Sequence, residues 1–83
     1  MNQVDEVKQE IRDTIRLKLG VVLASDDQHF FSEAGVDSLA FLNVVQSLEK
    51  KYAVKFRNDT LPDLSNCNLL ATALVDLLAQ NQK

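Results

Sequence analysis

The chain has 83 residues, 46% of them hydrophobic and 25% charged, with a net charge of −3 at neutral pH. This balance fits one compact domain over residues 1–83 and excludes a disordered chain, and no apolar run approaches the roughly 20 residues of a membrane span. The single cysteine, Cys67, cannot close an internal disulfide, and with the single histidine, His29, it makes no metal site.

The chain opens on MNQVDEVKQEIRD, which is charged and amphipathic and has no signal-peptide core, so cytoplasmic residence is the expectation. Val4, Val7, Ile11, Ile15 and Leu19 recur at steps of three and four and predict one apolar stripe on a first helix. Glu6, Lys8, Glu10 and Arg12 fall on its wet side, and Gly20 offers a left-handed stop.

From Val21 to Asp37 the periodicity breaks in VVLASDDQHFFSEAGVD. A loop of this length in a small domain is functional or tied down by its own side chains. Val21, Leu23, Phe30 and Phe31 are the anchors expected, and Ser25 with Gln28 has the spacing to cap a brief turn. His29 reads as an ordinary loop histidine. Asp26, Asp27, Glu33 and Asp37 lie in this segment with no base, so the negative charge collects just before Ser38. Such a segment argues against nucleic acid, whose binders present basic patches, and suits a basic partner or a plain solvated loop.

A second helix is predicted from Ser38, with Asp37 as its N-cap. Leu42, Val45, Leu48 and Tyr52, with Val44 alongside, form the expected buried stripe, whereas Leu39 and Phe41 fall off its centre, partly exposed or lining a cleft. Glu49, Lys50 and Lys51 close the helix, the lysines near the negative end of its dipole. Val54 and Phe56 then plug the core, Thr60 to Leu64 form a short helix around Pro62, and Leu69, Leu70, Ala73, Leu74, Leu77 and Leu78 mark a last helix capped by Asn66 or Asn68. Cys67, at the start of that helix, reads as small and semi-buried. No alternating strand pattern competes. The fold expected is all-α, a small bundle of three main helices plus a short helix, with a long loop between the first and second helices.

Ser38 sits where serine is acceptable in a first helical turn. As a nucleophile it would need a histidine base and an oriented acid, and the only histidine is nine residues upstream in a loop. Modification is the other reading, because a phosphate ester at a helix N-terminus is favoured by unpaired N–H groups and by the dipole.

GVDSL followed by AFLNVVQSLEKKYAVKF resembles the region around the modified serine of the acyl carrier protein family. IRLKLGV resembles the end of that family's first helix, FFSEAGVDSL its long loop and LLATALVDLL its last helix, so the likeness extends across nearly the whole chain. The resemblance implies a carrier and not an enzyme. Ser38 would receive 4'-phosphopantetheine from coenzyme A, and the arm would hold acyl cargo as thioesters. Asp37, Leu39, Leu42 and Glu49 would meet partner enzymes, and Phe30, Phe41, Val45 and Leu64 are candidates to line an acyl pocket. The implied partners are a phosphopantetheinyl transferase and acyl-loading or acyl-processing enzymes (a ligase, synthase or acyltransferase), with no nucleic acid, no membrane insertion and a monomeric state.

Departures from the family pattern sharpen the expectation. Ala40 and Asn43 stand where acids are usual, Lys50 and Lys51 follow Glu49, and Phe41 replaces a smaller residue. These changes point to a specialised fatty-acid, lipid or polyketide-type pathway. A peptidyl or aryl carrier is the alternative within the family, although GVDSL lacks the second glycine common there. A helical interaction module that carries nothing is the alternative outside it.

Overall fold

The computed structural model describes residues 3–81, so residues 1–2 and 82–83 of the expected domain lie outside the described residues. Three helices, α1 (Gln3–Leu19), α2 (Ser38–Tyr52) and α3 (Cys67–Asn81), are joined by two irregular segments, the second holding a single 3-10 turn at Leu61–Asp63. Among the described residues there is no strand, and no helix is long and apolar enough to cross a membrane. The expected short helix around Pro62 is therefore one turn, too brief to make a fourth helix of the bundle.

α1 packs against both α2 and α3 through the stripe read from the sequence, with Val7, Ile11 and Ile15 buried. It ends as expected: Gly20 adopts φ +69°, and its N–H donates to Arg16 O at 2.9 Å. α3 is capped by Asn66, whose Oδ1 accepts the Leu69 N–H at 2.8 Å. The Asn68 side chain turns instead to the Asp27 carboxylate. Cys67 is fully buried rather than semi-buried, with its thiol directed at Lys8 O, 3.7 Å away.

The buried face of α2 is rotated from the sequence reading. Phe41, Val44, Val45 and Leu48 face the core, whereas Leu42 is 40% exposed and Tyr52 only half-buried. The sequence Leu-Ala-Phe-Leu allows either apolar register at helical spacing. Aromatic packing decides between them, because Phe41 meets Phe30 at 5.7 Å and Phe31 at 5.3 Å between ring centroids.

α2 ends on Ala53 in the left-handed region, φ +56°, and the Val54 N–H donates to Glu49 O at 3.1 Å. This six-residue closure buries Val54 beside the end of the helix. Glu49 reaches past that closure, its Oε2 accepting the Phe56 N–H at 2.8 Å.

The loop between α1 and α2 is tied down on three sides. Asp26 pairs with Arg12 at 2.5 Å and Lys8 at 3.9 Å on α1, while its carbonyl accepts the Asn68 N–H of α3. The Phe30 N–H donates to Ser65 O at 2.7 Å, and the Phe30 side chain is fully buried. Full burial of such an aromatic ring is worth about 2–3 kcal/mol. The expected Ser25 side-chain cap does not form. Gln28 closes that turn itself, its Oε1 accepting the Ala24 N–H and its N–H donating to Ser25 O.

Candidate functional site

The approach to α2 is fixed residue by residue. Gly35 adopts φ +74°, a conformation strained for residues with a Cβ, and redirects the chain after the turn at His29–Ala34. Val36 is buried and donates its N–H to Phe30 O at 2.8 Å. Asp37 is extended (φ −88°, ψ 172°), and its Oδ1 accepts the Ala40 N–H at 2.7 Å, as an N-cap should.

Ser38 is the first residue of α2 and is exposed. Its hydroxyl hydrogen-bonds to none of the described residues, so the cap is complete without it. The backbone N–H groups of Ser38 and Leu39 also have no partner among the described residues. The alcohol therefore stands at the positive end of a helix beside two free donors, an arrangement suited to a phosphate ester.

An open groove of about 670 Å3 begins at Ser38. Phe31, Phe41, Leu42, Leu61 and Pro62 supply apolar lining, and the amide side chains of Gln46 and Asn58 supply polar lining. The chemistry of this lining fits a prosthetic arm that contains a phosphodiester, a branched alkyl unit and two amides. Ser38, Leu42 and Gln46 lie on one helical face at steps of four.

Of the acyl-pocket candidates, Phe41 alone lines this groove. Phe30 and Val45 lie in the closed core, and Leu64 is half-buried against it. Phe31, Leu61, Pro62, Gln46 and Asn58 are not among the pocket residues expected from the sequence, although Phe31 is expected as a loop anchor and Leu61 and Pro62 in a short helix. The four-residue steps from Ser38 could have shown Gln46, but no sequence signal brings Asn58 to it.

The partner-recognition candidates divide. Leu39 and Leu42 are 75% and 40% exposed beside Ser38, and Asp37 is exposed although its carboxylate caps the helix. Glu49 is half-buried, and its carboxylate serves the Phe56 N–H.

His29 orders the wall of the groove. Its Nδ1 accepts the N–H groups of Phe31 (3.2 Å) and Ser32 (3.1 Å), and Glu33 Oε1 accepts the His29 N–H at 2.9 Å. This reciprocal arrangement caps the turn that carries Phe31, and it requires the tautomer with hydrogen on Nε2. Cys67 is remote from such chemistry: burial first, then the Asp26 charge, pushes its thiol up to about 12. Among the described residues no group of three or more acidic, histidine or cysteine side chains could hold a metal ion.

Comparison with known proteins agrees with this geometry. The family described as "Phosphopantetheine attachment site" matches residues 9–74. The acyl carrier protein of Chloroherpeton thalassium is 32% identical over 65 residues, 76% of this chain and 81% of that protein. Acyl carrier protein 1 of spinach chloroplasts is 28% identical over 75 residues, 90% of this chain; the chain spans about half, 53%, of that relative's length. The crystal structure of an acyl carrier protein from Thermotoga maritima shares the fold at a TM-score of 0.82, covering 95% of this chain and 94% of that one at 15% identity.

The matching family is one of carriers rather than catalysts. The chain belongs to the phosphopantetheine-attachment family of acyl carrier proteins, whose cofactor is covalently attached 4'-phosphopantetheine. Family membership implies work with a phosphopantetheinyl transferase and with acyl-processing enzymes.

Proposed function

We propose that Ser38 is the attachment residue and that the chain acts as one carrier domain, delivering acyl groups to the enzymes of a specialised fatty-acid, lipid or polyketide-type pathway. The observation that carries this reading is the Ser38 hydroxyl, exposed at the tip of α2, unbonded and free of any capping duty. The attached arm would supply a thiol that holds each acyl group as an exchangeable thioester.

The protein's own residues do the positioning. Asp37 holds the helix start rigid, the free N–H groups of Ser38 and Leu39 face the position of the phosphate, and the groove gives the arm an apolar bed with amide partners at Gln46 and Asn58. Tethering raises the effective concentration of cargo at each successive active site, so docking can be weak and brief.

The exposed side of α2 supports specialisation. Ala40, Asn43 and Gln46 carry no charge, and the one acid of the helix, Glu49, is engaged with Phe56. Enzymes that expect a row of carboxylates find few here.

Intact-mass measurement tests the attachment. Incubation with coenzyme A and a phosphopantetheinyl transferase should add the mass of one phosphopantetheine to the wild type and nothing to Ser38→Ala. A gain retained in Ser38→Ala would refute the assignment. Competition tests the pathway: general fatty-acid elongation enzymes should use the loaded protein less well than their own carrier.

A further inference from the structure

α2 presents an exposed stripe of Leu39, Asn43, Gln46 and Lys50 at steps of four, three and four, with Leu42 alongside. The stripe changes character along its length. Near Ser38 it is apolar, and at its far end it borders a second concavity of about 500 Å3. There Asn43, Gln46, Ser47 and Lys50 of α2 face Lys18 and Leu19 of α1, with no carboxylate in the lining.

The two lysines of this concavity are uncommitted. Lys51, the neighbour of Lys50, is bound to Glu10, and Lys8 and Arg12 are bound to Asp26. Neither Lys18 nor Lys50 pairs with an acid among the described residues. The other end of the stripe has the opposite sign, with exposed Asp37 directly before Ser38 and exposed Glu33 in the preceding turn. Twelve residues separate Ser38 from Lys50, or about 18 Å along a helix axis.

We infer that this two-signed face is a docking surface for a protein partner whose contact helix or ridge carries carboxylates, seated so that those carboxylates enter the Lys18–Lys50 concavity while an apolar residue meets Leu39 and Leu42. Charge complementarity selects this occupant. An acidic ridge gains two cations with no carboxylate among the lining residues, whereas a basic ridge in the same seat meets Lys18 and Lys50 and is repelled. The polarity also fixes direction, because only one orientation brings the partner's acidic end to the lysines and leaves its other end at Ser38. The identity of the docked enzymes rests on the carrier reading; the charge match stands on the unmodified chain.

Both lysines lie in the last turns of their helices, where a cation also offsets the helix dipole. Arg16 and Lys51 occupy those same last turns, so dipole compensation does not require the two uncommitted lysines.

The test uses two synthetic helical peptides with the same leucines, one with glutamates and the other with lysines at its charged positions. Each is titrated into the full-length isotope-labelled protein at low salt and followed by amide chemical shifts. The glutamate peptide should move Leu42, Asn43, Gln46, Ser47 and Lys50, and the lysine peptide should leave them in place. Charge reversal in Lys18→Glu/Lys50→Glu should weaken glutamate-peptide binding by about tenfold or more, and salt near 0.5 M should do the same. Equal shifts from both peptides, shifts confined to other residues, no shifts at millimolar peptide, or binding unchanged in the double variant would each overturn the inference. The wild-type comparison of the two peptides stands even if the double variant fails to fold. Phosphopantetheine mass gain on the same samples reports separately on the carrier reading, so loss of loading with peptide selectivity intact would refute attachment and leave the docking surface standing.

Discussion

Asp37 and Ala40 close the first turn of α2 through a 2.7 Å hydrogen bond from the Ala40 N–H to the Asp37 carboxylate, and this bond leaves the intervening Ser38 hydroxyl without structural work. Asp37→Ala should therefore lower stability by about 1 kcal/mol, with Asp37→Asn close to wild type. Ser38→Ala should be nearly neutral. Urea midpoints for the three variants check this, and a Ser38→Ala loss as large as that of Asp37→Ala would show the hydroxyl to be part of the cap.

Glu49 links the end of α2 to the segment beyond it by accepting the half-buried Phe56 N–H. Glu49→Ala leaves that donor without its partner and should cost about 1–2 kcal/mol, whereas Glu49→Gln keeps an acceptor and should cost less. Hydrogen exchange at Phe56 should accelerate in the alanine variant and change little in the glutamine variant.

These contacts mark what could be read from the sequence and what could not. The α1 stripe, the Gly20 stop, the Asp37 cap and the start of α3 follow from local periodicity and capping chemistry, which act within a few residues. The rotation of α2 was not legible, because Phe41 and Leu42 satisfy helical spacing equally well until Phe30 and Phe31 pack from the loop. The groove failed to show for the same reason. Asn58, Leu61 and Pro62 reach Ser38 through a segment whose path depends on tertiary contacts. Glu49 could be read as a surface acid, yet its bond to Phe56 depends on how the chain turns after Ala53.

Cys67 makes a pH-dependent prediction. Its thiol ordinarily ionises near 9.0 and is held up to about 12 in the fold, first by burial and then by Asp26. The folded form retains the proton where the unfolded form loses it, so this contribution is complete below about pH 9 and declines as pH rises towards about 12. Between pH 8 and 11 the wild type should lose more stability than Cys67→Ala. A thiol-alkylating reagent at pH 8 should modify the native protein very slowly and the urea-unfolded chain rapidly. Rapid native modification would show that the side chain is open to solvent.

His29 provides the sharpest separation between holding the loop and shaping the site. Its Nδ1 accepts two N–H groups of the Phe31 turn, and its ring meets Phe31 edge-on at 5.8 Å between centroids. Phe31 in turn packs on Phe41 and lines the groove beside Ser38. His29→Ala removes the single acceptor of both bonds and should cost about 1 kcal/mol, while His29→Asn, whose amide oxygen can replace Nδ1, should recover much of that loss. Amide exchange at Phe31 and Ser32 should rise in the alanine variant and fall back in the asparagine variant. Loading of Ser38 should survive in both, since the Asp37 cap and the hydroxyl are untouched. If exchange at Phe31 and Ser32 is unaltered in His29→Ala, the ring nitrogen does not hold this wall of the groove.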